Sequence, residues 1–218
     1  FNAVIDNTDN SLRGNISSNE LRVAGMSLND NNFSLIANDN HLGVSYRYEN
    51  EDELINRGEL IAVGDVTGND GSVDLGIKIL PTALYLNSKE WRILPSELSF
   101  SKDEIHISNF EIASGEQNIR VSGNTSRTRK DTLSLEMDRF NLSIINPLIK
   151  SDLRIKGAVT GKVMLTSPME SKGLLADLIC DSTYVADVPL GVLNVGSSWD
   201  EDFERFNISV QNSHEGRR

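Results

Sequence analysis

The sequence predicts an all-β fold: an elongated, curled sheet, antiparallel or mixed, with at most one or two short helical turns. Three observations carry this. Apolar and polar residues alternate with a period of two along much of the chain, which gives each run one apolar and one polar face. Clusters of Gly, Asn and Asp separate these runs at roughly 8–12 residue intervals, the spacing of meandering strands. Helix signals are few and too short to stand alone.

The alternation is clearest in four places. Ile105 and Ile107 alternate with His106 and Ser108, and Ile119 and Val121 with Arg120 and Ser122. Leu133, Leu135 and Met137 alternate with Ser134, Glu136 and Asp138, and Phe206, Ile208 and Val210 with Asn207, Ser209 and Gln211. The segments Asn38-Asp39-Asn40, Asn69-Asp70-Gly71, Ser114-Gly115-Glu116 and Gly123-Asn124 read as turns, because Gly and Asn tolerate positive φ. The Asn/Asp-rich opening (Asp6 to Asn10, Asn29 to Asn32) reads as further turns between short strands.

The parity slips twice, from Ile105/Ile107 to Phe110/Ile112 and from Leu133–Met137 to Phe140/Leu142. A slip within a continuous strand turns its apolar set outward. A β-bulge or kink at Asn109 and at Asp138-Arg139 restores it. Phe140 to Asn146 and Glu51 to Ile55 each read as one helical turn, the first stopped by Pro147.

Composition narrows the function. The chain has 218 residues, 38% of them hydrophobic, as expected when a sheet has one wet face. It opens at Phe1 without an initiator Met, which implies processing or a longer parent. No stretch approaches the roughly 20 apolar residues of a membrane span. A net charge of -11 repels phosphate backbones, and the densest basic cluster, Arg127, Arg129 and Lys130, reads as a turn. No nucleic-acid binding is expected. The single cysteine, Cys180, excludes an internal disulfide and reads as a small buried hydrophobe.

No catalytic, metal or cofactor site is expected. His41, His106 and His214 have no paired ligand spacing. The Asp65–Asp70 and Asp6–Asn10 stretches lack the acids and glycine of a calcium loop. Ser99-Phe100-Ser101-Lys102 matches a Ser-x-x-Lys string without its companion motifs and sits at a strand end. Asn-x-Ser sequons at Asn15, Asn32, Asn124, Asn141 and Asn207 read as polar-face and turn residues.

The stretch from Arg57 to Leu165 is the most informative. It holds a Trp-x-Ile strand at Trp91, an Asn-Phe-x-Ile strand at Asn109 and a Gln-x-Ile-x-Val-x-Gly strand at Gln117. Asp131 then leads a Leu-x-Leu strand, and Gly157 and Gly161 frame another. This order resembles the later part of TamB-like proteins, within the AsmA-like group of Gram-negative envelope proteins. The segment Gly173 to Trp199 fits the continuation, and the first 50 residues fit loosely. The resemblance divides the chain into a strand-and-turn region, 1–56, and a TamB-like sheet region, 57–218.

The resemblance implies a folded-over sheet, the β-taco, with an apolar trough. It implies a periplasmic segment of a parent anchored in the inner membrane, moving phospholipid to the outer membrane or assembling outer-membrane proteins. The implied partners are phospholipid acyl chains and, through the parent chain, an outer-membrane barrel assembly protein. Trough candidates are Ile105, Ile107, Ile119, Val121, Leu133, Leu135, Val163 and Leu165. The pattern alone favours an ordinary sandwich core, so a non-enzymatic β-sandwich or β-solenoid binding or adhesion module of a surface protein stands as the alternative. Unprotected sheet edges predict edge-to-edge self-association.

Overall fold

The computed structural model describes residues 2–6, 11–23, 26–51, 55–69, 72–86, 88–127, 130–148, 154–166, 173–200 and 205–213. They are all-β, and every pairing between their strands is antiparallel within each of two units, Phe1–Ser114 and Gly115–Arg218. The sequence boundary between residues 56 and 57 falls inside one strand of the first unit.

The first unit contains β1 (Asn2–Asp6), β2 (Ser11–Val23), β3 (Met26–Asn38), β4 (His41–Glu51) and β5 (Ile55–Asn69). It continues with β6 (Ser72–Ile79), β7 (Thr82–Leu86), β8 (Lys89–Ile93), β9 (Ser96–Phe100) and β10 (Glu104–Ser114). Strands β1 to β5 form a plain up-and-down meander. Beyond β5, pairs of short strands lie end to end. β5 pairs with β6 through Ala62–Asn69 and with β7 through Arg57–Gly58. β10 pairs with β9 through Ile105–Ile107 and with β8 through Ile112–Ala113.

Two prolines cause the breaks. Pro81 separates β6 from β7, and Pro95 separates β8 from β9; neither has an N–H to give to a ladder. The amides just before them still bond outward, Leu80 N to Ile61 O at 2.9 Å and Leu94 N to Glu111 O at 2.9 Å. The surrounding strings, Ile79-Leu80-Pro81-Thr82-Ala83-Leu84 and Ile93-Leu94-Pro95-Ser96-Glu97-Leu98, repeat one pattern. In each, the apolar parity changes across the Leu-Pro step. The expected slip at Asn109 belongs to the same level. Ile107 lies opposite Leu98 and Ile112 opposite Ile93, so β10 and its neighbour each advance an odd number of residues and change face in step.

The second unit contains β11 (Gln117–Ser126), β12 (Thr132–Asn141), a 3-10 turn (Leu142–Leu148), β13 (Ile155–Thr166), β14 (Gly173–Val185), β15 (Val188–Asp200) and β16 (Arg205–Ser213). Each strand pairs with the next. The slip at Asp138-Arg139 is a bulge, as expected: the β12–β13 register shifts between Met137 and Phe140, and Arg139 adopts φ 49°. A further bulge, at Ser182 (φ 49°) in β14 opposite Gly157 (φ 134°) of β13, bends β14.

Several local expectations need correction. The strands are long, with β5 running to 15 residues. Asn29 to Asn32 are not a turn but the middle of β3. The buried Asn31 amide supplies what a turn was expected to solve: its Nδ2 donates to Leu28 O at 2.7 Å, and its Oδ1 accepts from the Tyr46 hydroxyl at 2.6 Å. Gly123-Asn124 also lies within a strand; Gly123 pairs with Leu133 at φ 123°, and a Cβ there would meet Thr132 O at 2.2 Å. Glu51 and Ile55 are a cross-strand pair closing β4 and β5, and residues 52–54 of the expected helical turn lie outside the described residues. The helical turn after Phe140 starts at Leu142 and runs through Pro147, whose fixed φ suits it. Asn38 pairs with His41 around Asp39-Asn40 and Asn69 with Ser72 around residues 70–71, as hairpin turns require; Asp70 and Gly71 lie outside the described residues, as do Asn7–Asn10, Arg129 and His214.

Packing is thin. Buried apolar residues are Leu28, Tyr48, Trp91 and Ile93 in the first unit and Val159 and Cys180 in the second; among the described residues no side chain is fully buried.

Candidate binding face

Cross-strand partners in an antiparallel sheet share a face, so register assembles the surface. In the second unit one row runs Val121, Leu135, Val163, Ala176, Ser197, Ile208 across six strands. A neighbouring row runs Ile119, Met137, Gly161, Leu178, Val195, Val210. Beside them lie Leu133, Leu165 and Leu174, and on the other flank Phe140, Val159, Cys180 and Leu193. None of these residues is charged. Apart from Val159 and Cys180 they are half-buried or exposed.

Six of the eight trough candidates, Ile119, Val121, Leu133, Leu135, Val163 and Leu165, thus meet on this face. Ile105 and Ile107 lie in the first unit, opposite Phe100 and Leu98. There the rows Leu42, Gly64, Ile77, Leu98, Ile107 and Val44, Ala62, Ile79 form a comparable face. Its closed end packs Tyr48, Gly58, Leu84 and Trp91. Gly58 is required there, since a Cβ would fall 2.5 Å from Leu84 Cβ and 3.0 Å from the Tyr48 hydroxyl. Lys89 covers Trp91 at 5.5 Å and Arg57 covers the Tyr85 ring at 5.1 Å. Burial, with the nearby Tyr46 hydroxyl, pushes the Tyr48 phenol up to about 12.

The candidates named from sequence omitted Leu174, Leu178, Val195 and Trp199, and the strand Leu42, Val44, Tyr46, Tyr48. The signal was present, because each set falls at alternate positions.

The opposite faces carry the charged residues, together with exposed apolar side chains such as Ile36, Val63 and Ile179. In the second unit Arg120, Glu136, Lys162 and Asp177 stand side by side across four strands. Glu136 accepts from Lys162 at 3.1 Å and lies 3.5 Å from Arg120. In the first unit a shallow depression of about 540 Å³ lies where Gly43 separates the exposed Ile36 and Val63. On its rim His41 Nδ1 lies 2.6 Å from Asp65 Oδ1, and Lys78 pairs with Glu97 at 3.4 Å. Asp65 is engaged by His41, and among the described residues no three of His, Cys, Asp and Glu converge. Ser99 lies in β9 and Lys102 in the bend after it.

Cys180 is buried between Val159 and Leu193. Burial, then the adjacent Asp181 charge, raises its thiol. A raised thiol holds little thiolate, so the residue acts as a small hydrophobe.

No protein-family model, curated protein or solved structure matches this chain. Among the described residues no helix is long and apolar enough to cross a membrane.

Proposed function

We propose that this chain is a periplasmic segment of a TamB/AsmA-like envelope protein, whose apolar sheet faces form a trough for phospholipid acyl chains. Transport runs between inner and outer membranes, or serves outer-membrane protein assembly through a barrel partner of the parent chain. The observation that supports this is the uncharged face of the second unit, continuous over six strands and still half-exposed. A closed sandwich fills such a face with a second layer and buries its side chains fully. Here none of the described side chains reaches that state.

Acyl chains suit such a surface because apolar burial is non-directional and needs no placed polar group. Headgroups stay in water at the rim while tails move from row to row. No proton transfer or bond cleavage is involved, so the reading is non-enzymatic. A sugar- or partner-binding sandwich would instead display its rings outward. The two ring pairs, Tyr46–Tyr48 and Trp199–Phe206, lie on the apolar faces.

The test is mass spectrometry of lipid retained by the purified protein, with Ile119→Asp and Leu133→Asp as disabled variants checked for folding by circular dichroism. Wild type retaining phospholipid that both folded variants lose supports the trough. Wild type free of lipid, with photo-crosslinkers at Leu135 and Val163 capturing none, overturns it.

A further inference from the structure

We infer that the β7–β8 hairpin is a hinged flap at the closed end of the first unit, swinging at two facing Leu-Pro steps. The movement needs no lipid and stands independently of the trough. Its hinge is a line without ladder bonds. Ile79 lies opposite Ser96 and Thr82 opposite Ile93, so one register runs through both steps. Leu80 then faces Pro95, and Pro81 faces Leu94. Neither proline has an N–H to donate. The two leucine amides turn away from the seam, to Ile61 O and Glu111 O, each at 2.9 Å. No amide of these four residues ties one strand of the ribbon to the other.

Beyond that line the hairpin is bound to itself more than to its neighbours. All five residues of β7 pair with β8, from Thr82–Ile93 to Leu86–Lys89. Glu90 adds internal bonds, accepting from the Tyr85 hydroxyl at 3.2 Å and from Arg92 Nε at 2.9 Å. The flanks carry two pairs each, Arg57–Tyr85 and Gly58–Leu84 with β5, and Ile112–Ile93 and Ala113–Arg92 with β10. On the other side of the line β5 holds β6 all the way from Ala62 to Asn69. Side chains add a few ties across the flanks. Thr82 Oγ1 donates to Glu59 O at 2.6 Å, the Tyr48 hydroxyl to Tyr85 O at 3.3 Å and Ser114 Oγ to Glu90 O, and Arg57 covers the Tyr85 ring. A segment so thinly bonded to its surroundings opens locally before the rest of its unit.

The flap is also where the face is covered. Trp91 and Ile93 are 5% and 6% exposed, whereas Val44, Ala62, Ile79 and Leu98, on the other side of the line, are half-buried. Swinging the hairpin out lifts Leu84 from the space that Gly58 leaves for it and uncovers Trp91 and Ile93. The closed end then joins the half-exposed rows as one apolar surface. Two hinge points at element ends and a rigid piece between them are the parts such a movement needs.

The experiment is thiol labelling of the full chain in a Cys180→Ser background, comparing Ile93→Cys with Ser96→Cys. The two positions are buried and flank the Leu94-Pro95 step, Ser96 at 2% exposure. Labelling at position 93 should be at least about tenfold faster than at position 96 and nearly independent of urea, as a local opening requires. A second measurement leaves the buried side of the flap intact. In a Trp199→Phe, Cys180→Ser background, acrylamide quenching of Trp91 is followed with Arg57→Cys and Tyr85→Cys added. Closing that cross-strand disulfide should cut the quenching by at least about half, and reduction should restore it. Equal labelling rates with the same urea dependence overturn the inference, because only global unfolding then exposes the flap. Quenching indifferent to the disulfide also overturns it.

Discussion

The carboxylate of Glu136 meets the ammonium of Lys162 at 3.1 Å across the β12–β13 ladder. Its other oxygen lies 3.5 Å from the Arg120 guanidinium. One residue earlier in the chain, Leu135 faces Val163 on the other side of the same two strands. The two pairs fix one register: a slip by one residue would put Glu136 among leucines and Leu135 among cations.

Replacing Glu136 by Lys leaves three cations side by side. Like charges directly opposite each other destabilise a sheet, and this loss should be about 1 kcal/mol at low salt. Glu136→Gln removes only exposed pairs and should cost about 0.5 kcal/mol. Urea unfolding at low and high ionic strength checks both, and the Lys penalty should shrink as salt screens it. A salt-independent penalty would count against the ladder.

Gly161 sits in the apolar face at φ 146°, where an added Cβ would meet Asp177 O at 2.1 Å and Leu178 Cα at 2.9 Å. Both are backbone atoms and cannot step aside. Gly161→Ala should lose about 2–4 kcal/mol. Gly76, with nothing within 4 Å of its Cβ position, is the matched control. Gly76→Ala should hold stability or gain about 0.5 kcal/mol by stiffening the unfolded chain. Equal midpoints for the two alanine variants would contradict this geometry.

The half-exposed face and the closed end of the first unit should respond differently to truncation. Trp91 is 5% exposed, and Trp91→Ala should cost about 3–5 kcal/mol. Leu135 is only half-buried, so Leu135→Ala should cost about 1–1.5 kcal/mol. A Leu135→Ala loss as large as that of Trp91→Ala would mean that a second layer covers the face, and with it the trough reading would fall.

How much of this was legible beforehand depends on which interaction fixed each feature. The β12 face could be read because Leu133, Leu135 and Met137 alternate locally, and the Asp138-Arg139 bulge because the alternation broke there. Asn31 was misread because its partners, the Leu28 carbonyl and the Tyr46 hydroxyl, come together only once β3 and β4 pair. Gly123 was misread because turn and strand glycines look alike until the Thr132 carbonyl is placed beside them. Whether the apolar face is covered was beyond reach, since alternation is identical in a sandwich core and on an open sheet. The Leu-Pro repeat was available in the letters of Leu80-Pro81 and Leu94-Pro95, and it marks where the first unit changes face.

Tyr48 makes stability depend on alkaline pH. Its hydroxyl donates to the Tyr85 carbonyl at 3.3 Å, and burial lifts its pKa from 10.0 to about 12. Below pH 10 the phenol is protonated in the folded and unfolded chains alike, and its contribution is fully present. Between pH 10 and about 12 the unfolded chain releases the proton while the folded one keeps it, so unfolding gains ground as pH rises. Tyr46 shifts in the same direction, also through burial, and adds to the effect. Tyr48→Phe removes the larger contribution and leaves the ring in place against Gly58. Urea midpoints measured from pH 9 to pH 12 should fall more steeply for wild type than for Tyr48→Phe, with the curves parting only above pH 10. Parallel curves across that range would place the Tyr48 hydroxyl in water and remove the closed end of the first unit as its cause.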